Sequence, residues 1–584
     1  MKNVSLRTEV HIISIYLLFA VMALGCLTHR GSATAAVQSD RLLWYVLSYS
    51  GFSLLSNSAR CRKIMEPALT AAIAVLCLRE SVIGMMQTVG VRASGHQLFL
   101  CTGSFGNPGP YGGFLAVSAS VLAAALASDA PGHGPIRKGL RVMYAVSAFS
   151  ALAILPASMS RAATVASGIS LAVMAFRSER LKIAVTEFRQ KHRILSASAA
   201  ALAVICCTAF MAMAYNAKKD SADGRLFMAG ICLKAMAESP LSGHGPGSFA
   251  HAYGDAQFRH FAEGDFTERE RMLADCPEYA FNTYLGTGVE YGIPAMMLLI
   301  VAVITGISAS IRQKSPFGYG LLAIAVFAMF SYPQEIAVFR LLMPLTAASA
   351  GIPGPERSAP GWLRTAIFAA VLPAVLWYGH TRTIPRILAE RKWHDMEHSY
   401  AMAEYGNVAR RYAPLLLDMK HSQRFMFQYG HALFRTGQYG KCLEILEEGR
   451  GISGDAMFWN LCGEAHQALG DCETAEECYR HAFLMVPNRL YPLCLTARLH
   501  YECGDSIRLD EVRRYIASFR PKKESEAVIQ LRKDFDVYIR SQSPERNRSP
   551  RRCDSPSQPS GHSAWQDPAE CDSLSLRHSP RSSD

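Results

Sequence analysis

The sequence predicts an all-α protein in two parts, a polytopic bundle of membrane helices followed by a soluble α-solenoid of helical repeats. Apolar runs as long as a bilayer is thick recur over roughly the first two thirds of the chain. A helix–turn–helix pattern follows them, without a further apolar run. The chain is 50% apolar and 18% charged with a mean hydropathy of only +0.09, as expected when a membrane part and a soluble part are averaged.

The first part, residues 1–382, is divided into candidate membrane spans, because a bilayer core needs about 20 apolar residues per helix. We predict about 11 spans, seven before and four after a long polar loop at residues 216–282. The apolar runs are residues 11–28, 42–56, 64–83, 111–127, 142–157, 163–176, 194–214, 283–311, 317–331, 336–350 and 363–379. Lys2 and Arg7 precede the first run as in a signal peptide, but no small-residue cleavage site follows, which favours a retained helix.

The basic residues of the short connections predict the orientation of this bundle. Every even-numbered connection carries Lys or Arg, whereas the odd-numbered ones are rich in Gly, Pro and Ser. The basic residues are Arg60, Arg62, Lys63, Arg137, Lys138, Arg141, Arg177, Arg180, Lys182, Arg189, Lys191, Arg193, Arg312 and Lys314. Since positive loops stay on the cytoplasmic side, the long loop and the C-terminal part are expected outside.

Charge and cysteine content exclude some functions. Much of the net charge of +12 lies in those short connections, where topology explains it, so we expect no nucleic-acid partner. The 16 cysteines include no Cys-x-x-Cys pair, and no His/Cys group has zinc spacing, so no metal and no other cofactor is predicted. Cysteine usage alone says little about the redox compartment.

The second part, residues 383–540, contains a segment, 456–489, that follows the 34-residue tetratricopeptide pattern. The matching positions are Trp459, Gly463, Ala475, Tyr479, Ala482 and Pro487. Weaker copies precede it around Gly437 and follow it around Gly504. Such arrays hold a partner peptide or protein in a concave groove, although a structural cap on the membrane part fits the pattern equally well. The Ser-, Pro- and Arg-rich tail, residues 541–584, is expected to be disordered.

Two polar constellations precede the long loop. A Gly- and Pro-rich stretch, residues 102–113, contains Asn107 and leads into the fourth run. It is either a turn at a helix start or a loop whose backbone amides attract phosphate. Ser160 and Arg161 lie at an outward tip, where an arginine breaks the charge trend. Arg161 either reaches back to the interface or binds an anion through paired hydrogen bonds.

Two more constellations lie in or after the long loop. Arg225 precedes a glycine-rich stretch in which His244 is flanked by Gly243, Gly245 and Gly247. The histidine is either a capping group or a general base. The last constellation consists of Glu278, Asn282, Tyr284 and Glu290, where the chain enters the eighth run. Asn282 suits a helix cap, whereas a carboxylate inside a span requires a functional or electrostatic partner.

In this order the constellations resemble the O-antigen ligase and O-antigen polymerase-like family of bacterial membrane glycosyltransferases. The resemblance covers residues Gly103, Asn107-Pro108, Ser160-Arg161 and Arg225, the stretch 240–249 (Pro-Leu-x-Gly-His-Gly-Pro-Gly-x-Phe), Asn282-x-Tyr-Leu and Glu290-x-Gly292. The repeat part is similar to a subgroup common in Bacteroidetes, through Phe427-x-Tyr-Gly430 and the stretch 486–492. Many members carry His directly before Asn-x-Tyr-Leu, and here that position is Phe281.

The resemblance implies an enzyme of the bacterial inner membrane that moves a glycan from a polyprenyl-pyrophosphate carrier to a hydroxyl acceptor outside, without a metal. Arg161 and Arg225 would stabilise the departing pyrophosphate, and His244 or Glu278 would deprotonate the acceptor. Asn107, Ser160, the loop glycines, Asn282, Tyr284 and Glu290 would bind substrate. The acceptor could be lipid, glycan or protein, so ligase, polymerase and protein O-oligosaccharyltransferase stay open. A transporter of lipid-linked sugars and a membrane-anchored repeat scaffold are the alternatives of another class.

Overall fold

A computed structural model describes residues 2–128, 135–177, 179–195, 198, 219–351 and 361–542. These residues form helices and turns and include no strand. The helices of the membrane part are α1 (Lys2–Thr28), α2 (Ala33–Asn57), α3 (Ala59–Thr88), α4 (Pro108–Ala127), α5 (Pro135–Ile154), α6 (Arg161–Arg177), α7 (Glu179–Lys191), α8 (Lys219–Glu238), α9 (Phe249–Ala262), α10 (Glu268–Leu273), α11 (Thr283–Arg312), α12 (Phe317–Ala328), α13 (Ala337–Ala348) and α14 (Gly361–Tyr378).

Five helices of the described residues are long and apolar enough to cross a membrane. They span Leu6–Thr28, Arg60–Thr88, Pro108–Ala127, Pro135–Ser158 and Thr283–Arg312. The shorter helices α12 and α13 are also apolar. Each other predicted run coincides with a helix, except residues 194–214, which lie almost wholly outside the described part of the chain. The total of about 11 spans and their direction therefore stay predictions.

The centre of the membrane part is α4, in which 78% of an 18-residue stretch is buried. It packs against α3, α5, α6 and α12. Small residues on α4 make this possible, since a Cβ added at Gly113 would collide with the ring of Phe327. On the other side of the bundle α1 lies along α11, and the buried ring of His11 bonds to the carbonyls of Ala302 (2.8 Å) and Ala347 (2.9 Å).

The predicted long loop is largely folded in the residues that the structure describes. Its helices α8, α9 and α10 pack together, with α8 and α9 around an apolar cluster that includes Ile231, Phe249 and Tyr253. The first turn of α10 is closed by a capping box, in which Thr267 and Glu270 bond to each other's backbone. Residues 216–218, the beginning of the predicted loop, lie outside the described residues.

The C-terminal part begins where α14 passes through a π-helical turn, Gly379–Thr383, into the next helix. Its helices are α15 (Ile384–Asp395), α16 (Glu397–Ala401), α17 (Tyr405–Tyr412), α18 (Leu416–Met419), α19 (Gln423–Arg435), α20 (Tyr439–Arg450), α21 (Ala456–Ala468), α22 (Cys472–Met485), α23 (Tyr491–Glu502), α24 (Ser506–Ser518) and α25 (Glu526–Gln542). Residues 543–584 of the predicted tail lie outside the described residues.

Helices α19 to α24 form consecutive pairs joined by short turns. Each turn contains a glycine with positive φ, Gly437 (74°), Gly470 (87°) and Gly504 (74°), a conformation that other residues adopt at a cost. The tight pairing of α21 with α22 depends on Gly463, where an added Cβ would collide with the Tyr479 ring. These pairs agree with the predicted helix–turn–helix pattern, and their assignment as tetratricopeptide repeats stays a prediction.

The helical pairs dock directly on the folded loop. Buried Asn488 donates to the carbonyls of Arg271 and Ala274, both at 2.9 Å, and Arg271 donates to the Pro487 carbonyl at 2.8 Å. Gln257 of α9 reaches the Met485 carbonyl at 2.6 Å. The C-terminal part therefore holds the loop in position through direct hydrogen bonds.

Candidate functional site

Two arginines that are far apart in sequence lie together at one end of the bundle. Arg161 is the first residue of α6, directly after the turn at Met159 (φ 53°), and its guanidinium donates to Ser221 Oγ at 3.3 Å. Ser221 precedes Arg225 by one turn of α8, which puts both residues on one face. Burial and repulsion by Arg161 lower the pKa of Arg225, so the two charges lie close to each other.

The start of α4 lies beside this arginine pair. A Cβ added at Gly112 would lie only 2.8 Å from Ser160 Cβ, so α4 and the turn before Arg161 are in backbone contact. Asn107 caps α4 by accepting from the Gly109 N–H at 2.9 Å. The structure therefore brings the first and second predicted constellations together.

Aromatic side chains form the wall next to Arg225. Its guanidinium lies 5.5 Å from the centre of the Phe281 ring and donates to the Phe330 carbonyl at 2.5 Å. The Tyr332 ring meets Phe281 edge-on at 5.1 Å and stacks on Tyr279 at 4.8 Å. Phe281 has a positive φ of 47°, which is strained for a bulky residue and is tolerated where the surroundings hold it.

Glu278 lies on the same wall as the arginine pair. Tyr332 interacts electrostatically with both Glu278 and Arg225, which places the carboxyl near the pair. Solvent reaches Glu278, but protein atoms crowd its carboxyl, and this burial raises its pKa. Hydrogen bonds from Gln423 and Tyr279 oppose the shift without cancelling it. Because Gln423 is the first residue of α19, the repeat part touches the site directly.

A second charged cluster next to Glu278 was not predicted from the sequence. Arg41 Nη1 of α2 forms an ion pair with Glu335 Oε2 at 2.6 Å, and both side chains are mostly buried. Arg340 of α13 donates to the carbonyl of Glu335 at 3.2 Å, and the Tyr45 hydroxyl donates to the Gln334 carbonyl at 3.4 Å. Ionisable residues at the ends of apolar runs are the sequence signal that could have revealed it.

Residues 146–300 match a family model described as O-Antigen ligase. The match supports the resemblance of this chain to the O-antigen ligase family. It includes Arg161, Arg225 and Glu278, and it leaves out Asn107, Arg41, Glu335 and the repeat part. No curated protein matches the chain. Together with the apolar helices, the match indicates a multi-pass membrane enzyme of the glycosyltransferase or ligase type that acts on lipid-linked glycans.

Within the ligase-like region, α11 breaks after its second turn. Gly292 has φ 84° and ψ 169°, outside the helical region, and Pro294 lacks the N–H that would bond to the Glu290 carbonyl. The Ile293 N–H instead donates to the Pro240 carbonyl at 2.8 Å. Since backbone groups inside an apolar environment require partners, the freed carbonyls need new donors.

The glycine-rich loop supplies those donors. The His244 N–H donates to the Val289 carbonyl at 2.9 Å, and the Gly245 N–H donates to the Glu290 carbonyl at 3.0 Å. A Cβ added at Gly243 would collide with the backbone of Glu290, which explains why this position is glycine. The Glu290 carboxylate in turn accepts from the Gly247 N–H. These predicted binding residues hold the helix break together.

The His244 side chain is also engaged locally. Its Nε2 is 2.7 Å from the carbonyl of Ala235 in the last turn of α8. Ala235 follows Arg225 by ten residues, which is about 15 Å along a helix, so the imidazole is anchored away from the arginine pair. This position favours the capping interpretation of His244 over the catalytic one, because the ring is bonded to the end of α8, about three helical turns from Arg225.

Two predicted binding residues at the start of α11 have clear structural partners. Asn282 caps the helix by accepting from the N–H groups of Tyr284 (3.0 Å) and Leu285 (3.1 Å). The Tyr284 hydroxyl donates to the Ala325 carbonyl at 3.1 Å and joins α11 to α12. Both residues therefore hold the strained segment around Phe281 in place.

The backbone amides of the first glycine-rich stretch do not form an open phosphate cradle. Gln87 Oε1 accepts from the N–H groups of Thr102 (3.0 Å) and Gly103 (2.8 Å). Buried Glu80 accepts from the Ser104 N–H at 2.9 Å. For these three amides the structure favours the turn over the anion loop, because two side chains of α3 already bind them.

Among the described residues, no group of three or more His, Cys, Asp or Glu side chains could hold a metal ion. Metal independence stays a prediction. The groups that the structure does bring together are Arg161, Arg225 and Glu278, joined by the aromatic wall of Tyr279, Phe281 and Tyr332. Such a set can bind an anion and can accept a proton.

Proposed function

We propose that this protein is a glycosyltransferase of the bacterial inner membrane that works on the periplasmic face. It transfers a glycan from a polyprenyl-pyrophosphate carrier to a hydroxyl acceptor. The observation that carries the proposal is the meeting of Arg161 and Arg225, which come from different helices and repel each other. Two guanidiniums facing one region are stabilised by an anion between them, and a pyrophosphate offers several oxygens for paired hydrogen bonds.

The chemistry follows from the charges of the substrate. The acceptor oxygen bonds to the anomeric carbon of the glycan while the bond from that carbon to the pyrophosphate oxygen breaks. The electron pair of that bond leaves with the polyprenyl pyrophosphate, so negative charge grows next to Arg161 and Arg225. Fixed positive groups at this place stabilise the transition state more than the ground state.

The acceptor proton moves to Glu278 in this proposal. Its raised pKa makes the carboxylate a stronger base than an ordinary glutamate, and Tyr332 couples it to Arg225, whereas the His244 ring is bonded to the end of α8. Aromatic rings beside Arg225 suit a sugar ring, which packs its C–H face on an aromatic surface.

The repeat part contributes to the selection of the acceptor. Gln423 of α19 bonds to Glu278, so an acceptor that approaches the carboxylate also meets the C-terminal part. A ligase acting on a lipid, a polymerase acting on a glycan chain and a protein O-oligosaccharyltransferase differ only in this acceptor. A pure transporter has no need for a carboxyl held beside the arginine pair, and a pure scaffold has no need for the pair itself.

Orientation and activity can be tested together. In a strain that lacks the gene, loss of long-chain attachment on polysaccharide gels indicates a ligase, collapse to single repeat units indicates a polymerase, and loss of glycoproteins indicates a protein glycosyltransferase. Reporters fused after Lys191 or Arg312 should give cytoplasmic signals, and one fused after Leu490 should give a periplasmic signal. An unchanged glycan profile in the deletion strain would contradict the proposed activity.

A further inference from the structure

Two cysteines of the C-terminal part meet at its surface. Cys472 is the first residue of α22, and Cys503 directly follows α23. Their Sγ atoms are 2.9 Å apart, although 31 positions separate them in the chain. Cys503 is exposed, and Cys472 is half-buried. A disulfide has about 2.05 Å between its sulfurs, which is roughly 0.9 Å less than this contact.

Three other cysteines of the helical pairs are of a different kind. Cys442, Cys462 and Cys478 are buried in the core between the helices. Burial raises the pKa of the first two thiols to about 12 and that of Cys478 to about 11. A thiol that stays protonated and covered is a poor nucleophile, so these three have a packing role. Cys472 and Cys503 are the adjacent, accessible pair in this part of the structure.

The surrounding contacts hold the two sulfurs in position. Gln467 Nε2 donates to Glu502 Oε2 at 2.7 Å and joins α21 to the end of α23. The Arg508 side chain of α24 reaches Glu476 of α22 at 3.0 Å. These contacts join the two helix pairs on either side of the cysteines, so the helices that carry the thiols are held next to each other.

We propose that Cys472 and Cys503 form an intramolecular disulfide that ties the α21–α22 pair to the α23–α24 pair. The inference rests on the proposed function in one respect, because the repeat part must face the oxidising periplasm. The oxidant is a thiol–disulfide oxidoreductase in its disulfide form. One thiolate of the pair attacks that disulfide and forms a mixed disulfide, expelling one oxidoreductase cysteine as a thiolate. The second thiolate attacks the mixed disulfide at the sulfur of its partner cysteine and expels the other oxidoreductase cysteine. Two electrons pass to the oxidoreductase, whose two cysteines end as thiols after taking up two protons.

The cross-link would stabilise the surface that docks on the loop of the membrane part. The chain between the two cysteines includes Asn488, and α24 precedes Arg520, whose carbonyl accepts from Arg271 of the loop at 2.9 Å. Closing a loop of this length restricts the unfolded chain and favours the folded arrangement. Reduction should therefore lower the melting midpoint of the repeat part by several degrees.

Mass spectrometry of the full-length protein tests the proposal. Membranes are treated with N-ethylmaleimide to block free thiols, and the purified protein is digested with trypsin without reductant. Trypsin separates the two cysteines, leaving Cys472 in the peptide 451–480 and Cys503 in the peptide 499–508. The expected result is a linked pair of these peptides that disappears on reduction. Cys462 and Cys478 share the first peptide, so variants are needed for the assignment.

The variants Cys472→Ser and Cys503→Ser should each abolish the linked pair, and the control Cys462→Ser should retain it. Alkylation of both thiols in the wild type would overturn the proposal, as would a linked pair that survives Cys472→Ser. A reporter after Leu490 separates the two possible failures. Alkylated thiols with a periplasmic signal overturn the disulfide alone, whereas alkylated thiols with a cytoplasmic signal overturn it together with the proposed orientation.

Discussion

The arginine pair and the glycine-rich loop around His244 are both polar features at the ends of apolar helices. They differ in charge, because the loop joins neutral donors to carbonyls and the pair brings two positive charges together. In the loop, the His244 N–H, the His244 ring and the Gly245 N–H each bind a carbonyl of the protein. Arg161 and Arg225 also donate to protein groups, Ser221 Oγ and the Phe330 carbonyl, but their like charges are held close enough to repel. Groups that satisfy each other maintain a fold, and like charges held together point to a ligand of opposite charge.

The largest expected effect comes from breaking the arginine pair. Arg161→Ala or Arg225→Ala should lower glycan transfer by about a hundredfold, or roughly 3 kcal/mol, because a fixed charge next to the leaving group is lost. The Lys variants keep the charge but lose the planar fork, so their transfer should fall less and still substantially. Transfer from a purified lipid-linked donor measures both.

The matched control for the pair is Arg312→Ala, a change to an exposed arginine at the far end of α11. It should leave transfer nearly unchanged. Wild-type transfer by both Arg161→Ala and Arg225→Ala, at normal protein levels, would show that the arginine pair does not bind the pyrophosphate.

On the loop side, Gly243→Ala should lower stability and leave the chemistry of the folded fraction intact. An added Cβ meets the Glu290 backbone, and the residue has φ 68°, so we expect a loss of about 2 kcal/mol. Gly230→Ala is the control, since nothing lies within 4 Å of its Cβ position in α8, and alanine there should be neutral or stabilising. Thermal unfolding in detergent compares them, and equal melting midpoints would contradict the docking of the loop on α11.

Glu278→Gln tests whether the base lies beside the arginine pair or in the loop around His244. Transfer should fall about tenfold, or 1.4 kcal/mol. In the wild type, transfer should decline as the pH falls through the raised pKa of Glu278, because the protonated carboxyl no longer accepts the acceptor proton. The variant should lack this acidic decline. A pH profile of the same shape in both proteins would count against Glu278 as the base.

His244→Gln should have the smallest effect. Loss of the bond to the Ala235 carbonyl should cost about 1 kcal/mol of stability, and transfer per folded molecule should stay close to that of the wild type. If transfer fell as much as in the arginine variants while the melting midpoint stayed unchanged, His244 would be a catalytic residue.

The sequence by itself determined the elements that depend on neighbouring residues. The apolar runs coincide with helices wherever the structure describes them, Asn107 and Asn282 cap the helices that follow them, and Gly437 and Gly504 lie in the expected turns. Each of these features is decided within a few residues, through hydropathy, a side chain next to free N–H groups, or the absence of a Cβ. A single sequence is sufficient for such local choices.

The tertiary structure alone decided which polar group meets which partner. Arg161 and Arg225 meet across two helices, and Glu278 bonds to Gln423, which is 145 positions away. The sequence left His244 open between a base and a cap, and its bond to the end of α8 favours the cap. The physical reason is that a hydrogen bond or an ion pair depends on distance and desolvation, which long-range packing sets, whereas the sequence records only the capacity to form it.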